Sequence, residues 1–462
     1  MSNYTNRTWA EIEPGASESL THTVTAADVE ALSLVAGDVE AFHLRQAALG
    51  HDGSAPGAAA VALVSGLLNR RLPGPGSAIT ATQLHYTGRL YAGDVLTVDV
   101  RARAKLPDGR SIDFECGCRN QRGEILVHGT ATVLAPTARI EYDDIATPEV
   151  ILRHSDGLGR LFVRCEKLEP VVCAVVCPGD RDSLLGAIEA ARRRLIVPIL
   201  VGPVAKIRAA AEAAEVDLTP YRIVDAPHSH GAAAQAVAMA REGEVEALMK
   251  GSLHTDELMG AVLDSATGLR TDRRVSHVFV MDVPAYPRLL LITDAAINLT
   301  PDLDVKADIC RNAIALAKIL GVEMPKVAIL AAVETINSKM PSTLDAAALC
   351  KMADRGQITG ALLDGPLAFD NAVSMAAART KGIDSPVAGQ ADILLVPDIE
   401  AGNMIAKQLT YLAGADSAGI VLGTRVPIVL TSRADSVRVR LASTAVMKLV
   451  AHELRARRAS VG

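Results

Sequence analysis

The sequence predicts two folds in series, an α+β domain followed by a longer α/β region. Alternating strand-like runs, broken by turn signals about every ten residues, fill the N-terminal third. Short apolar runs alternating with Ala-rich helical stretches fill the remainder. Residues 136–148 separate the two textures, with a proline at each end and the acidic Glu141, Asp143 and Asp144 between. At 462 residues the chain exceeds what one hydrophobic core serves. The expected division is therefore a domain over 1–135, a linker over 136–148 and a second region over 149–462.

In chain order, residues 26–36 read as a helix leading into a loop at Gly37. A small-residue helix over 57–71 is stopped by Leu72-Pro73-Gly74-Pro75-Gly76, through which no helix continues. Strands are expected over 80–86, 95–104, 112–119 and 124–134. The turn signals Ala92-Gly93-Asp94, Pro107-Asp108-Gly109 and Gln121-Arg122-Gly123 make that sheet antiparallel. Beyond the linker, strands over 171–176 and 196–201 alternate with helices over 184–194 and 204–214. Further strands are read over 247–249, 277–281, 289–293, 326–331, 360–363, 393–396 and 427–430. That alternation implies a largely parallel sheet covered by helices, with ligands at the carboxyl ends of its strands.

Bulk composition narrows the function. An aromatic share of 3%, with Trp9 the single tryptophan, argues against a base-stacking nucleic-acid platform. The net charge of −6 carries no basic block apart from Arg455, Arg457 and Arg458, read as a solvated helix end. The N-terminus is polar and lacks an apolar signal core, and no run is long enough to span a membrane, so a cytoplasmic location is expected. The seven cysteines lack zinc spacing and read as buried thiols, with no metal site.

Strand-to-loop junctions of the second region carry groups suited to phosphate and thioester chemistry. Lys250-Gly251-Ser252 offers a cation, a close backbone approach and a hydroxyl. Arg270 follows in Gly268-Leu269-Arg270. Asp294 to Asn298 follow a strand, Asp364-Gly365-Pro366 ends another, and Ser385 to Asp392 and Pro397 to Asn403 follow in turn. After the last strand come Ser432, Arg433 and Asp435. Acyl transfer to phosphate needs a base for the thiol, a donor for the oxyanion and a cation for phosphate, and these three residues supply such groups. This ordered series resembles the phosphate acetyl/butyryltransferase family over about residues 150–462. The resemblance implies two α/β subdomains like those of isocitrate and isopropylmalate dehydrogenases. It assigns Ser432 and Arg433 to the reacting carbonyl and phosphate, with Lys250, Gly251, Ser252, Arg270, Asp294, Asn298 and Asp364 around the substrate. Acetyl-specific members keep an aspartate seven residues after the serine. Here that position is Val439, a pattern closer to the butyryl branch, and Asp435 is the candidate base.

In the first domain, Asp38 and His43 lie five residues apart across a loop, a carboxylate and an imidazole able to activate water. With Gly57 opening a small-residue helix, then 72–76 and Tyr91-Ala92-Gly93-Asp94, the pattern over about residues 18–135 resembles MaoC-like enoyl-CoA hydratases. That resemblance implies a hotdog fold, in which the sheet wraps the helix, and a thioester carbonyl polarised by the Gly57 N–H. Glu40-Ala41, Pro56 and Ala62 depart from the family's usual residues.

Together the two resemblances imply a transferase, bifunctional if the hydratase-like module is active, with coenzyme A, acyl-CoA, acyl phosphate and inorganic phosphate as substrates. No tightly bound cofactor, nucleic acid or membrane is expected, and a homo-oligomer is. Two alternatives stand beside it: a transacylase whose hotdog domain only binds acyl-CoA, and a metal- and nicotinamide-dependent dehydrogenase of the related fold, for which no GxGxxG follows a strand.

Overall fold

A computed structural model describes residues 4–36, 54–55, 58–142, 157–432 and 435–461. The chain divides into two compact units, Met1–Leu152 and Arg153–Gly462.

The first unit holds β1 (Tyr4–Thr5), β2 (Ser17–Thr23), β3 (Ser54–Ala55), β4 (Ala78–Tyr86), β5 (Leu90–Tyr91), β6 (Val95–Lys105), β7 (Ser111–Arg119), β8 (Ile125–Leu134) and β9 (Glu141–Tyr142). Five of these pair antiparallel in the order β2-β6-β7-β8-β4. Gly93, Gly109 and Gly123 take positive φ in the three turns expected from the sequence, which a side chain would resist. Period-two alternation puts Leu96, Val98 and Val100 of β6 and Phe114, Cys116 and Cys118 of β7 on one face. The helix Ala58–Arg70 buries Val64, Leu67 and Leu68 in the same core. Each such side chain contributes about 1.5–3 kcal/mol by leaving water.

Two expectations change here. Strand β2 was not legible in advance: its Ser, Thr, His and Glu residues expose one face and half-bury the other. Part of the stretch read as linker is bound to the first unit instead. Asn6 Nδ2 donates to Ala138 O at 2.8 Å, Asn6 Oδ1 accepts from Ile140 N at 2.8 Å, and β9 pairs with β1.

The second unit holds β10 (Val171–Val176), β11 (Ile196–Gly202), β12 (Arg222–Asp225), β13 (Ala247–Lys250), β14 (Ser276–Asp282), β15 (Leu290–Thr293), β16 (Lys326–Leu330), β17 (Leu362–Leu367), β18 (Ile393–Leu395), β19 (Asp416–Leu422) and β20 (Ile428–Val429). They form one sheet in the order β12-β11-β10-β13-β20-β19-β14-β15-β18-β16-β17. Both wings are parallel, as expected. The middle is not: β14 runs antiparallel to β15 and β19, and β19 to β20. The short connection from β19 to β20, turning at Gly423 with φ 82°, can only reverse the chain. The long C-terminal helix Val437–Val461 packs Leu441, Ala445, Val446 and Val450 into the main core of this unit. No helix of the described residues is long and apolar enough to cross a membrane.

Candidate functional site

The carboxyl ends of β10, β13 and β20 lie side by side in the sheet. Gly251, just past β13, passes so close to β10 that a Cβ there would meet Cys177 O at 2.4 Å and Val176 O at 2.5 Å. Only glycine fits, and its N–H donates to Val176 O at 2.8 Å. Ser252 is turned inward: its Oγ donates to Cys177 O at 2.8 Å and accepts from Gly179 N at 3.2 Å. Its hydroxyl thus ties two loops together. Lys250 is buried, 3% exposed, and its Nζ lies 3.4 Å from both Gly251 O and Thr431 O. Beside Ser252 opens a cavity of about 290 Å³ whose lining includes Gly179, Lys206, His228 and His254.

The loop after β20 carries Ser432, exposed, and Asp435, half-buried. Asp435 Oδ2 accepts from Ser432 N at 2.6 Å, and Ser432 O accepts from Asp435 N at 3.2 Å. Burial pushes the Asp435 carboxyl above its ordinary range. The Ser432 N–H and the charges of Arg440, Lys250 and Lys407 oppose that shift. Lys250 and the Ser432–Asp435 cluster, read from two separate stretches of the sequence, are thus neighbours here.

Asp294 and Asn298 build the turn after β15. Asp294 Oδ1 accepts from the N–H groups of Ala296 (2.9 Å) and Ile297 (3.1 Å), and its Oδ2 from Asn298 Nδ2 (2.6 Å). Burial raises the Asp294 pKa against those hydrogen bonds. Asn298 Nδ2 also reaches Val275 O at 2.9 Å. Both side chains therefore shape the turn. Ala296 and Ile297 rest on the apolar cluster that contains Leu253 and Leu430, which sets the turn near the Lys250 and Ser432 loops. Gly402 and Asn403 of the helix Ile399–Tyr411 close on it, Asn403 Nδ2 donating to Ala295 O at 3.2 Å.

Two of the sequence-selected residues stand apart. Asp364 lies in β17, the edge strand at the far end of the sheet, its Oδ1 accepting from Gly365 N. Arg270 is exposed and forms an isolated bridge with Thr424. Arg433, Asp38, His43 and Gly57 lie outside the described residues. In the first unit, the turn motif is held by Asp94, whose carboxylate accepts from Tyr91 N at 2.9 Å and Gln121 Nε2 at 3.0 Å.

Sequence reasoning missed two buried residues at the site. Arg440, 3% exposed, donates through Nη1 to Thr431 Oγ1 at 3.0 Å and through Nη2 to Ser432 O at 3.1 Å. On a helix, an arginine in sequence reads as a solvated charge; its proximity to Ser432, about two helical turns away, was the one available signal. His277 of β14 is 1% exposed, and its ring hydrogen-bonds the Leu430 backbone. Burial lowers its pKa to about 4, so it is neutral at physiological pH.

Comparison with known proteins places this arrangement. A family model described as phosphate acetyl/butaryl transferase matches residues 228–448. A phosphate acetyltransferase of Rhizobium meliloti is 64% identical over 297 residues, covering 64% of this chain and 94% of that protein. A phosphate butyryltransferase of Clostridium acetobutylicum is 43% identical over 295 residues, covering 64% of this chain and 98% of that protein. Among solved structures, a branched-chain phosphotransacylase from Enterococcus faecalis V583 is 29% identical, with a TM-score of 0.55, covering 61% of this chain and 99% of that one. With nearly the full length of those relatives aligned, the chain belongs to the phosphate acetyl/butyryltransferase family.

Proposed function

We propose that the second unit transfers a short acyl group between coenzyme A and inorganic phosphate at the loops after β13 and β20. The observation that carries this is the convergence of Ser432 and Asp435 with the buried cation Lys250. Asp435 takes the thiol proton and the thiolate attacks the acyl carbonyl. Ser432 and Arg433 hold the oxyanion as the carbon–sulfur bond forms. The carbon–oxygen bond to phosphate then breaks, and phosphate leaves against Arg433 and Lys250. Asp435 thereby takes the base role that Val439 cannot fill. The expected kinship with isocitrate and isopropylmalate dehydrogenases has no support from the solved structure matched above, which is a phosphotransacylase. The relatives named above are acyltransferases, which does not favour the dehydrogenase alternative.

Thiol release from coenzyme A thioesters of two to five carbons, with and without phosphate or arsenate, tests this reading and fixes the acyl length. Phosphate-stimulated cleavage of at least one thioester is expected, and Arg433→Ala should slow it about a hundred- to thousandfold. No stimulated cleavage of any of them refutes the reading.

For the first unit we propose a MaoC-like hotdog module that hydrates an enoyl-CoA through Asp38 and His43. Its support is the motif spacing, with a five-stranded antiparallel sheet and the helix Ala58–Arg70 beginning directly after Gly57. Bound but unhydrated crotonyl-CoA would make the module an acyl-CoA-binding domain instead.

A further inference from the structure

Each carbonyl leading into the Ser432 loop is held by a side chain from a different element. The His277 ring of β14 holds the Leu430 backbone, and Lys250 of β13 reaches Thr431 O at 3.4 Å. Arg440 of the helix Val437–Val461 holds Ser432 O at 3.1 Å and Thr431 Oγ1 at 3.0 Å. Arg440 is costly to place there. A guanidinium taken out of water costs several kcal/mol unless it is fully bonded, and an apolar residue would pack such a helix more cheaply. Its Nε has no partner among the described residues. Its path is kept open by Gly186 on the helix Arg181–Arg192, where a Cβ would come within 2.7 Å of Arg440 Cδ. A buried, incompletely bonded arginine with a channel kept free for its stem points to work done at its tip.

We propose that Arg440 is a positioning residue for this site: it holds Ser432 by its carbonyl while Asp435 accepts from the Ser432 N–H, so that hydroxyl and carboxylate are presented together. The inference rests on the reading of Ser432 and Asp435 as acyl-transfer groups. The two acceptors, Thr431 Oγ1 and Ser432 O, suit the planar fork of an arginine, whose separate N–H groups each take one; a lysine ammonium has no such fixed spread. Among the described residues, the charged groups that bear on Asp435 are Arg440 on the C-terminal helix, Lys250 on β13 and Lys407 on the helix Ile399–Tyr411. All three favour its ionised form, so loss of Arg440 moves the acidic limb of the rate profile to higher pH.

The test compares Arg440→Gln, Arg440→Lys and Arg438→Gln in the full chain. Arg438 is the charge-matched control, exposed and paired with Asp416 at 2.6 Å. Rates across pH are measured together with amide hydrogen exchange of the peptide 430–436. For Arg440→Gln we expect kcat lower by about a hundredfold, an acidic limb displaced upward and faster exchange in the loop. Arg440→Lys keeps the charge, so the limb stays in place while kcat remains low and exchange fast; it also serves if Arg440→Gln does not fold. Arg438→Gln stays within about twofold of wild type. Unchanged exchange and kcat in the Arg440 variants, or the same losses in Arg438→Gln, overturn the proposal. A wild-type protein without transfer activity would refute the functional reading instead, and the exchange data would then judge the hold on the loop alone.

Discussion

Polar residues at the strand ends divide by where their atoms are used. Ser252 uses its hydroxyl within the chain to shape the loop after Lys250, and Asp294 and Asn298 use their side chains to shape the turn after β15, whereas Lys250, Ser432 and Asp435 are the candidate reacting groups. His277 belongs with the first group, and its burial has a pH signature. Its folded pKa of about 4 lies below the ordinary 6.5 because the charged ring is desolvated. Between those values the unfolded chain binds more protons, so stability rises with pH. The contribution is complete above pH 6.5 and is lost as pH falls toward 4, roughly 3 kcal/mol in all. Urea unfolding between pH 7 and 4.5, followed by far-UV circular dichroism, should show this slope, and His277→Gln should flatten it. An equal slope in the variant would assign the acid sensitivity to other groups.

The C-terminal helix contributes Arg440 near its start and Lys448 two turns on, and both are buried. Lys448 Nζ donates to Leu168 O and Arg194 O, each at 2.8 Å, and burial lowers its pKa. Lys448→Met keeps the volume but leaves two carbonyls without that donor, a loss on the order of 2–4 kcal/mol. A urea midpoint shifted by less than about 0.5 kcal/mol equivalent would mean that water replaces the ammonium. Neither buried cation was legible in the sequence, because an Ala-rich helix with spaced basic residues looks the same whether those residues face solvent or a loop. The turns of the first unit were legible because Gly93, Gly109 and Gly123 mark them chemically. The reversal at β14 and β19 was not, since a strand buried on both faces carries the same apolar run in either direction. The Lys250 loop could be read because glycine, cation and hydroxyl follow one another there, and the Ser432 loop because serine, arginine and aspartate cluster after a strand. Their adjacency in space is a property of strand order, which no local pattern states.

At the scale of the whole chain, two units with separate cores carry separate sets of candidate groups: Asp38 and His43 in the first, Lys250, Ser432, Arg433 and Asp435 in the second. If each set does its own chemistry, the two activities should respond to different substitutions in one intact protein. Hydration of crotonyl-CoA needs a base and an acid around water and no phosphate. Phosphate-dependent thioester cleavage needs the loop cations and no Asp38. Asp38→Asn with His43→Ala should therefore abolish loss of the enoyl absorbance while leaving phosphate-dependent thiol release within about twofold, as expected for changes in a unit with its own core. Arg433→Ala should do the reverse. Trp9 fluorescence follows the first unit, which holds the only tryptophan, and so reports whether the double variant has kept its fold. Hydration that survives the double substitution would remove Asp38 and His43 from the chemistry. Absence of hydration in wild type, with crotonyl-CoA still bound, would leave the first unit as a thioester-binding module beside a working transferase.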